Sequence, residues 1–139
     1  MRIFLDTSVV LAACGRSTGG SRAVFDFAPA NGWRLLTSRY VLNEVVKNLP
    51  KLPPAALINW PTLSQQLTVT RDVWTMDRPA VMAPAKDRPI LFTAAAWSKV
   101  LLTLDTGDFG GLMETGFYHL AVMKPAAFLE HERAAGRLK

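Results

Sequence analysis

The sequence predicts an α/β fold, a three-layer α/β/α sandwich in which helices cover both faces of a mainly parallel central sheet. Short apolar runs alternate with segments of helical periodicity, and clusters of Gly, Pro, Asn and Asp separate them. Length agrees with this: 139 residues fit one domain over 1–139, and folding at that size buries roughly 68% of the unfolded surface, enough for one core.

The elements follow in order. Ile3 to Leu5 is an apolar run cut by Asp6-Thr7-Ser8, and Val9 to Cys14 then resumes with helical spacing up to Gly15, giving strand, turn, helix. Ser21 is placed to cap a helix over Arg22 to Ala28, whose Val24, Phe25 and Ala28 share a face, and Asn31-Gly32 closes it. Trp33 to Leu36 reads as a second buried strand. Thr37-Ser38 starts a helix from Arg39 to Asn48 with Val41, Leu42, Val45, Val46 and Leu49 on one side, stopped by Pro50 and Pro53-Pro54. A helical segment from Ala55 to Gln66 is interrupted by Pro61, and Leu67 to Thr70 has the β-branched content of a third strand.

Residues 72 to 89 carry Pro79, Pro84 and Pro89 and little periodicity, so an irregular connection is expected, leading into a helix from Pro89 to Lys99. Val100 to Leu104 is a buried strand. Asp105-Thr106-Gly107-Asp108 forms a polar turn and Gly110-Gly111 a further break; Leu120 to Met123 is a last strand before a helix opened by Pro125 and running through Glu132. No repeat or low-complexity segment is visible.

Half of the residues are apolar and 19% are charged, which excludes disorder. The net charge of +5 and pI near 9.8 favour an anionic partner, although the basic residues are scattered and any basic surface must be assembled by folding. A single cysteine, Cys14, excludes an intrachain disulfide and a cysteine-based zinc site. The opening apolar run is too short for an export signal and no stretch approaches a membrane span, so a soluble cytoplasmic protein is expected.

Ligands of parallel sheets sit beyond the carboxyl ends of the strands, where strand order switches. Asp6 and Asp105 each directly follow a strand candidate. Taken singly, the acids have ordinary explanations. Asp6 suits a helix cap, and Glu44 lies roughly 130° around the helical wheel from the apolar face, a solvated position. Asp87 precedes a helix start, and Asp105 and Asp108 sit in a glycine-containing turn. Jointly, Asp6, Asp87 and Asp105 fall on one edge of the sheet, and carboxylates sharing a cleft repel unless a cation lies between them. His119 and His131 lie away from these motifs and read as surface or structural residues, which argues against histidine-based phosphodiester chemistry.

Four stretches in order resemble the acidic motifs of PIN-domain nucleases. They are Met1-Arg2-Ile3-Phe4-Leu5-Asp6-Thr7-Ser8-Val9-Val10, Glu44 in the helix after the second strand, Lys86-Asp87-Arg88-Pro89-Ile90-Leu91 running into Ala94-Ala95-Ala96, and Leu101-Leu102-Thr103-Leu104-Asp105-Thr106-Gly107-Asp108-Phe109. The resemblance spans nearly the whole chain and is closest to the compact single-domain members that include VapC-like toxins. It implies metal-binding and catalytic roles for Asp6, Glu44, Asp87 and Asp105, with Asp108 a fifth metal-binding acid and Ser8, where the family often has Asn, a polar neighbour. It further implies Mg²⁺ or Mn²⁺ as cofactor, RNA as substrate, and, for the toxin type, an antitoxin protein whose helix lies in an apolar groove. Thr7, Ser8, Thr103 and Thr106 are placed to hydrogen-bond the acids or a phosphate oxygen.

Two other readings compete with a metal-dependent ribonuclease. One is a non-catalytic RNA-binding or scaffold protein of the same fold. The other is a phosphoryl-transfer enzyme with an aspartate nucleophile after the first strand, which would want a second acid where Ser8 stands. Trp60, Trp74 and Trp97 offer apolar surface for a homodimer, with core packing expected for at least two of them.

Overall fold

The chain begins with β1 (Arg2–Leu5), and in the computed structural model, which describes residues 1–77 and 85–139, a strand forms within every stretch read as one, although the strand expected over Val100 to Leu104 ends at Leu102 and leaves Leu104 exposed. Asp6 caps α1 (Thr7–Gly15); α2 (Gly20–Asn31), β2 (Arg34–Ser38), α3 (Arg39–Asn48), α4 (Pro54–Ser64) and β3 (Leu67–Thr70) follow. A 3-10 turn at Ala85–Asp87 leads into α5 (Arg88–Trp97), then β4 (Val100–Leu102), α6 (Thr106–Thr115), β5 (Ala121–Met123) and α7 (Pro125–Ala134). Of the irregular connection expected over 72–89, residues 72–77 have no regular structure and 85–89 are already helical, while Pro79 and Pro84 lie outside the described residues.

The sheet is five-stranded and parallel throughout, in the order β3-β2-β1-β4-β5. The chain moves outward on one side through β2 and β3, then crosses to β4 and β5 on the other. Right-handed crossovers therefore put the helices that precede β3 on one face and those that link β3, β4 and β5 on the other, and α7 returns to the first face. α1 packs against α2, α3 and α4, and α2 against α7; α5 lies on β1 and β4, and α6 beside β5. The result is a three-layer sandwich. β1 is central and buried on both faces: Ile3, Phe4 and Leu5 have no exposed surface, nor do Leu101 and Leu102 of β4. Each such side chain contributes about 2 kcal/mol by leaving water. No helix among the described residues is long and apolar enough to cross a membrane.

Five local expectations are corrected. The second helix is capped at Gly19 instead of Ser21, which lies buried in its first turn. Pro50 does not end the chain's helical course at once but sits in a 3-10 turn, Leu49–Lys51, where its missing amide is no loss. Pro61 lies inside α4 without breaking it. The turn at 105–108 is the start of a helix: Asp105 caps α6, which runs through Gly110-Gly111 because Phe109, fully buried, anchors it. Finally, Trp74 and Trp97 are exposed at 59% and 37%, so of the three tryptophans only Trp60 packs on the core.

Candidate metal centre

Each acid is delivered by the end of an element. β1 ends at Leu5, and the Asp6 amide still pairs with the Leu102 carbonyl of β4 at 2.9 Å, so the two central strands finish side by side. The crevice between them is where strand order switches direction.

Asp6 is held by three donors. Its Oδ1 accepts from the Thr7 amide at 2.7 Å, and its Oδ2 from Thr103 Oγ1 at 2.7 Å and Ser8 Oγ at 3.0 Å. Thr103 and Ser8 also tie the site to the loop after β4: Thr103 Oγ1 accepts from the Asp105 amide and Ser8 Oγ from the Leu104 amide, both at 3.0 Å. Burial raises the pKa of Asp6 above its ordinary range, the three hydrogen bonds oppose that, and the charge of Asp105 adds to it.

Glu44 sits one turn after Tyr40 on α3. It is half-buried, not on a fully solvated face, and Thr7 Oγ1 donates to its Oε1 at 3.4 Å. Its pKa is raised, first by burial and then by the Asp6 charge. Asp6 and Glu44 thus share one electrostatic environment.

Asp87, Asp105 and Asp108 form the tightest cluster, each offering a carboxylate oxygen within 4.8 Å of the others. Asp105 Oδ1 caps α6 by accepting from the Asp108 amide at 3.0 Å. Asp87 stands at the start of α5 and is buried, but its side chain makes no capping bond and its Oδ2 has no donor. Two ionised carboxylates only accept, so the pair is eased by one proton between them. Burial and the neighbouring Asp108 push Asp87 up to about 7, while the hydrogen bond from Asp87 and the nearby Lys86 ammonium hold Asp108 below its usual range. Lys86 Nζ lies 3.8 Å from Asp108 Oδ2.

The structure therefore brings all five expected acids to one edge of the sheet. Asp108 belongs to the tight trio, and Asp6 and Glu44 adjoin it through the hydroxyls of Thr103 and Thr7. Thr106 opens α6 with no side-chain bond to these acids among the described residues. His119 and His131 are exposed. Tyr40 is the residue the sequence reading passed over: its hydroxyl donates to the Lys86 carbonyl and steadies the segment that delivers Asp87. Its position one helical turn ahead of Glu44 was the available signal.

A hard divalent cation fits this donor set. All of its ligands are carboxylate oxygens, one buried oxygen is unpartnered, and the acids resist being ionised together. No protein-family model and no curated protein matches the sequence.

Proposed function

We propose that the chain is a divalent-metal-dependent ribonuclease that hydrolyses RNA phosphodiester bonds, of the type found as toxins of toxin-antitoxin pairs in the cytoplasm. The observation that carries this reading is the unpartnered Asp87 Oδ2 in a trio of carboxylates, beside a fourth and fifth acid, at the switch point of a parallel sheet.

Asp87, Asp105 and Asp108 would hold Mg²⁺ or Mn²⁺, with Asp6 and Glu44 completing the negative pocket. Such an ion, when bound, acidifies water and neutralises charge on a phosphate under attack. The protein's own contribution is positioning. Asp6 is oriented by three donors, so its carboxylate cannot swing away when the pocket fills. Thr103 Oγ1 ties the Asp6 carboxylate to the Asp105 backbone amide. Lys86 and the exposed Arg39 and Arg88, adjacent to Tyr40 and Asp87, supply positive charge for backbone phosphates, making binding sensitive to salt. An antitoxin and a second copy of the chain are the protein partners proposed with this reading.

The experiment is cleavage of end-labelled RNA with Mg²⁺ or Mn²⁺ by wild type, Asp6→Asn and Asp105→Asn. Activity in wild type alone is expected; equal activity in all three would reject the site. One observation favours a non-catalytic RNA-binding protein of the same fold: both Asp6 oxygens are already occupied by internal donors. Calorimetry showing no Mn²⁺ binding by the wild type would decide for it.

A further inference from the structure

The opposite edge of the sheet has its own chemistry. Arg2 and Arg34 are register partners at the amino ends of β1 and β2, and the Lys99 amide pairs with the Arg2 carbonyl at 3.4 Å. Three basic residues thus stand side by side where adjacent strands begin, Lys99 immediately before β4, their backbones about 5 Å apart. All three are exposed, and none has an acidic partner among the described residues.

Beside this row lies a cavity of about 540 Å³ lined by Arg2, Lys99, Trp97, His119 and the alanines Ala95 and Ala96. That volume is in the range of small-molecule sites. Among the described residues no carboxylate lines it. Trp97 is pinned in place, since its Nε1 donates to the Arg71 carbonyl at 2.9 Å, yet 37% of the residue is exposed. A fixed indole with an open surface is a stacking platform. His119 is set by a tight turn in which Phe117 and Leu120 pair both ways at 2.9 Å and Tyr118 adopts φ 55°.

The end of α5 does not explain these charges. Its C-terminal carbonyls amount to about half a negative charge, and the Ala94 carbonyl already accepts from the Ser98 amide at 2.9 Å and from Ser98 Oγ at 2.6 Å. Most of the positive charge is left for an external anion.

We infer that this amino-edge cavity binds a nucleotide, its phosphates held by Arg2 and Lys99 with Arg34 in support and its base on the Trp97 ring. The ligand is either a free nucleoside phosphate or one unit of a nucleic-acid strand. β1 separates Arg2 from Asp6 by about 13 Å of extended chain, so this is a second site, and it does not depend on the ribonuclease reading.

Calorimetry in EDTA tests it with three probes: ADP, inorganic pyrophosphate, and a 2′-fluoro oligouridylate that cannot be cleaved through its sugar hydroxyl. Wild type is expected to bind ADP or the oligonucleotide. Arg2→Glu with Lys99→Glu should weaken binding by at least about tenfold, and the same charge change made by Lys51→Glu with Arg133→Glu should not. Trp97→Leu should weaken ADP but spare pyrophosphate. Tighter ADP identifies a free nucleotide, whereas a tighter oligonucleotide with steep salt dependence identifies a strand. If the double reversal fails to fold, Arg2→Gln with Lys99→Gln, which removes the two cavity charges without reversing them, takes its place. Binding of none of the probes, or equal binding by wild type and the cavity variants, overturns the inference.

Discussion

Replacing Asp87 by Asn removes one charge from the crowded trio and should make the metal-free protein more stable at alkaline pH. Asp87 is raised from 3.8 to about 7 by burial and by Asp108. Between those values the folded state binds a proton that the unfolded state has released. Stability therefore falls as pH rises through this window, and the penalty is complete above about 7. The shift sets an upper bound of about 4 kcal/mol. Sharing of the proton with Asp108 and solvent access reduce this by about half. Losing the carboxylate's attraction to the α5 N-terminus takes back about 0.5 kcal/mol. Asn can occupy the start of a helix as well as Asp, so no capping cost is added. The Asp87→Asn variant should gain about 1.5 kcal/mol at pH 8 in EDTA, raising Tm by about 5 °C, and the gain should vanish near pH 4. Circular-dichroism melts from pH 4 to 9 measure it. In saturating Mn²⁺ the order should reverse, because wild type gains about 2.7 kcal/mol at a hundred times Kd and the variant loses most of that. Parallel pH profiles for the two proteins in EDTA would mean that Asp87 takes up no proton on folding.

Three further outcomes follow from other contacts. Thr103→Val leaves Asp6 Oδ2 and the Asp105 amide without their shared hydroxyl, which should cost about 2 kcal/mol in urea unfolding and weaken Mn²⁺ about 10- to 100-fold by calorimetry. Gly20→Ala places a Cβ 2.9 Å from the Ala126 backbone nitrogen, so α2 and α7 must part, and a loss of about 1 kcal/mol is expected; an unchanged Tm would show that the helices yield freely. Arg137→Ala removes the ion-pair partner of Glu132, which is only 2% exposed, and should cost up to about 3 kcal/mol in the same unfolding assay.

The central strands were legible because buried parallel strands announce themselves as uninterrupted apolar runs, as Leu101-Leu102 does, whereas Leu67 to Thr70, at the sheet edge with no fully buried residue, was legible from its β-branched content. α6 was not, because Thr106, Gly107, Gly110 and Gly111 are poor helix formers whose local preference is overruled by the burial of Phe109 and the Asp105 cap. Pro61 misled for the same reason: local chemistry argued for a break, and packing of Ala56 and Leu63 carried α4 across it. At the candidate site, strand ends pointed to Asp6 and Asp105. The wheel put Glu44 toward water because periodicity registers the apolar stripe and is blind to a neighbouring helix start such as Asp6-Thr7. Asp87's missing donor and its closeness to Asp108 are properties of the assembled cleft, absent from any local pattern.

The bond from Thr103 to Asp6 joins positions 97 residues apart. Asp6 leaves the ribosome long before Thr103 does, and although Thr7 and Ser8 are donors close at hand, the bond from Thr103 forms only once β4 has slotted in beside β1. The acidic pocket is accordingly a product of completed folding: a nascent or truncated polypeptide ending before residue 100 carries some of the acids but no assembled cleft, and whatever chemistry those groups support stays silent until the last strands dock.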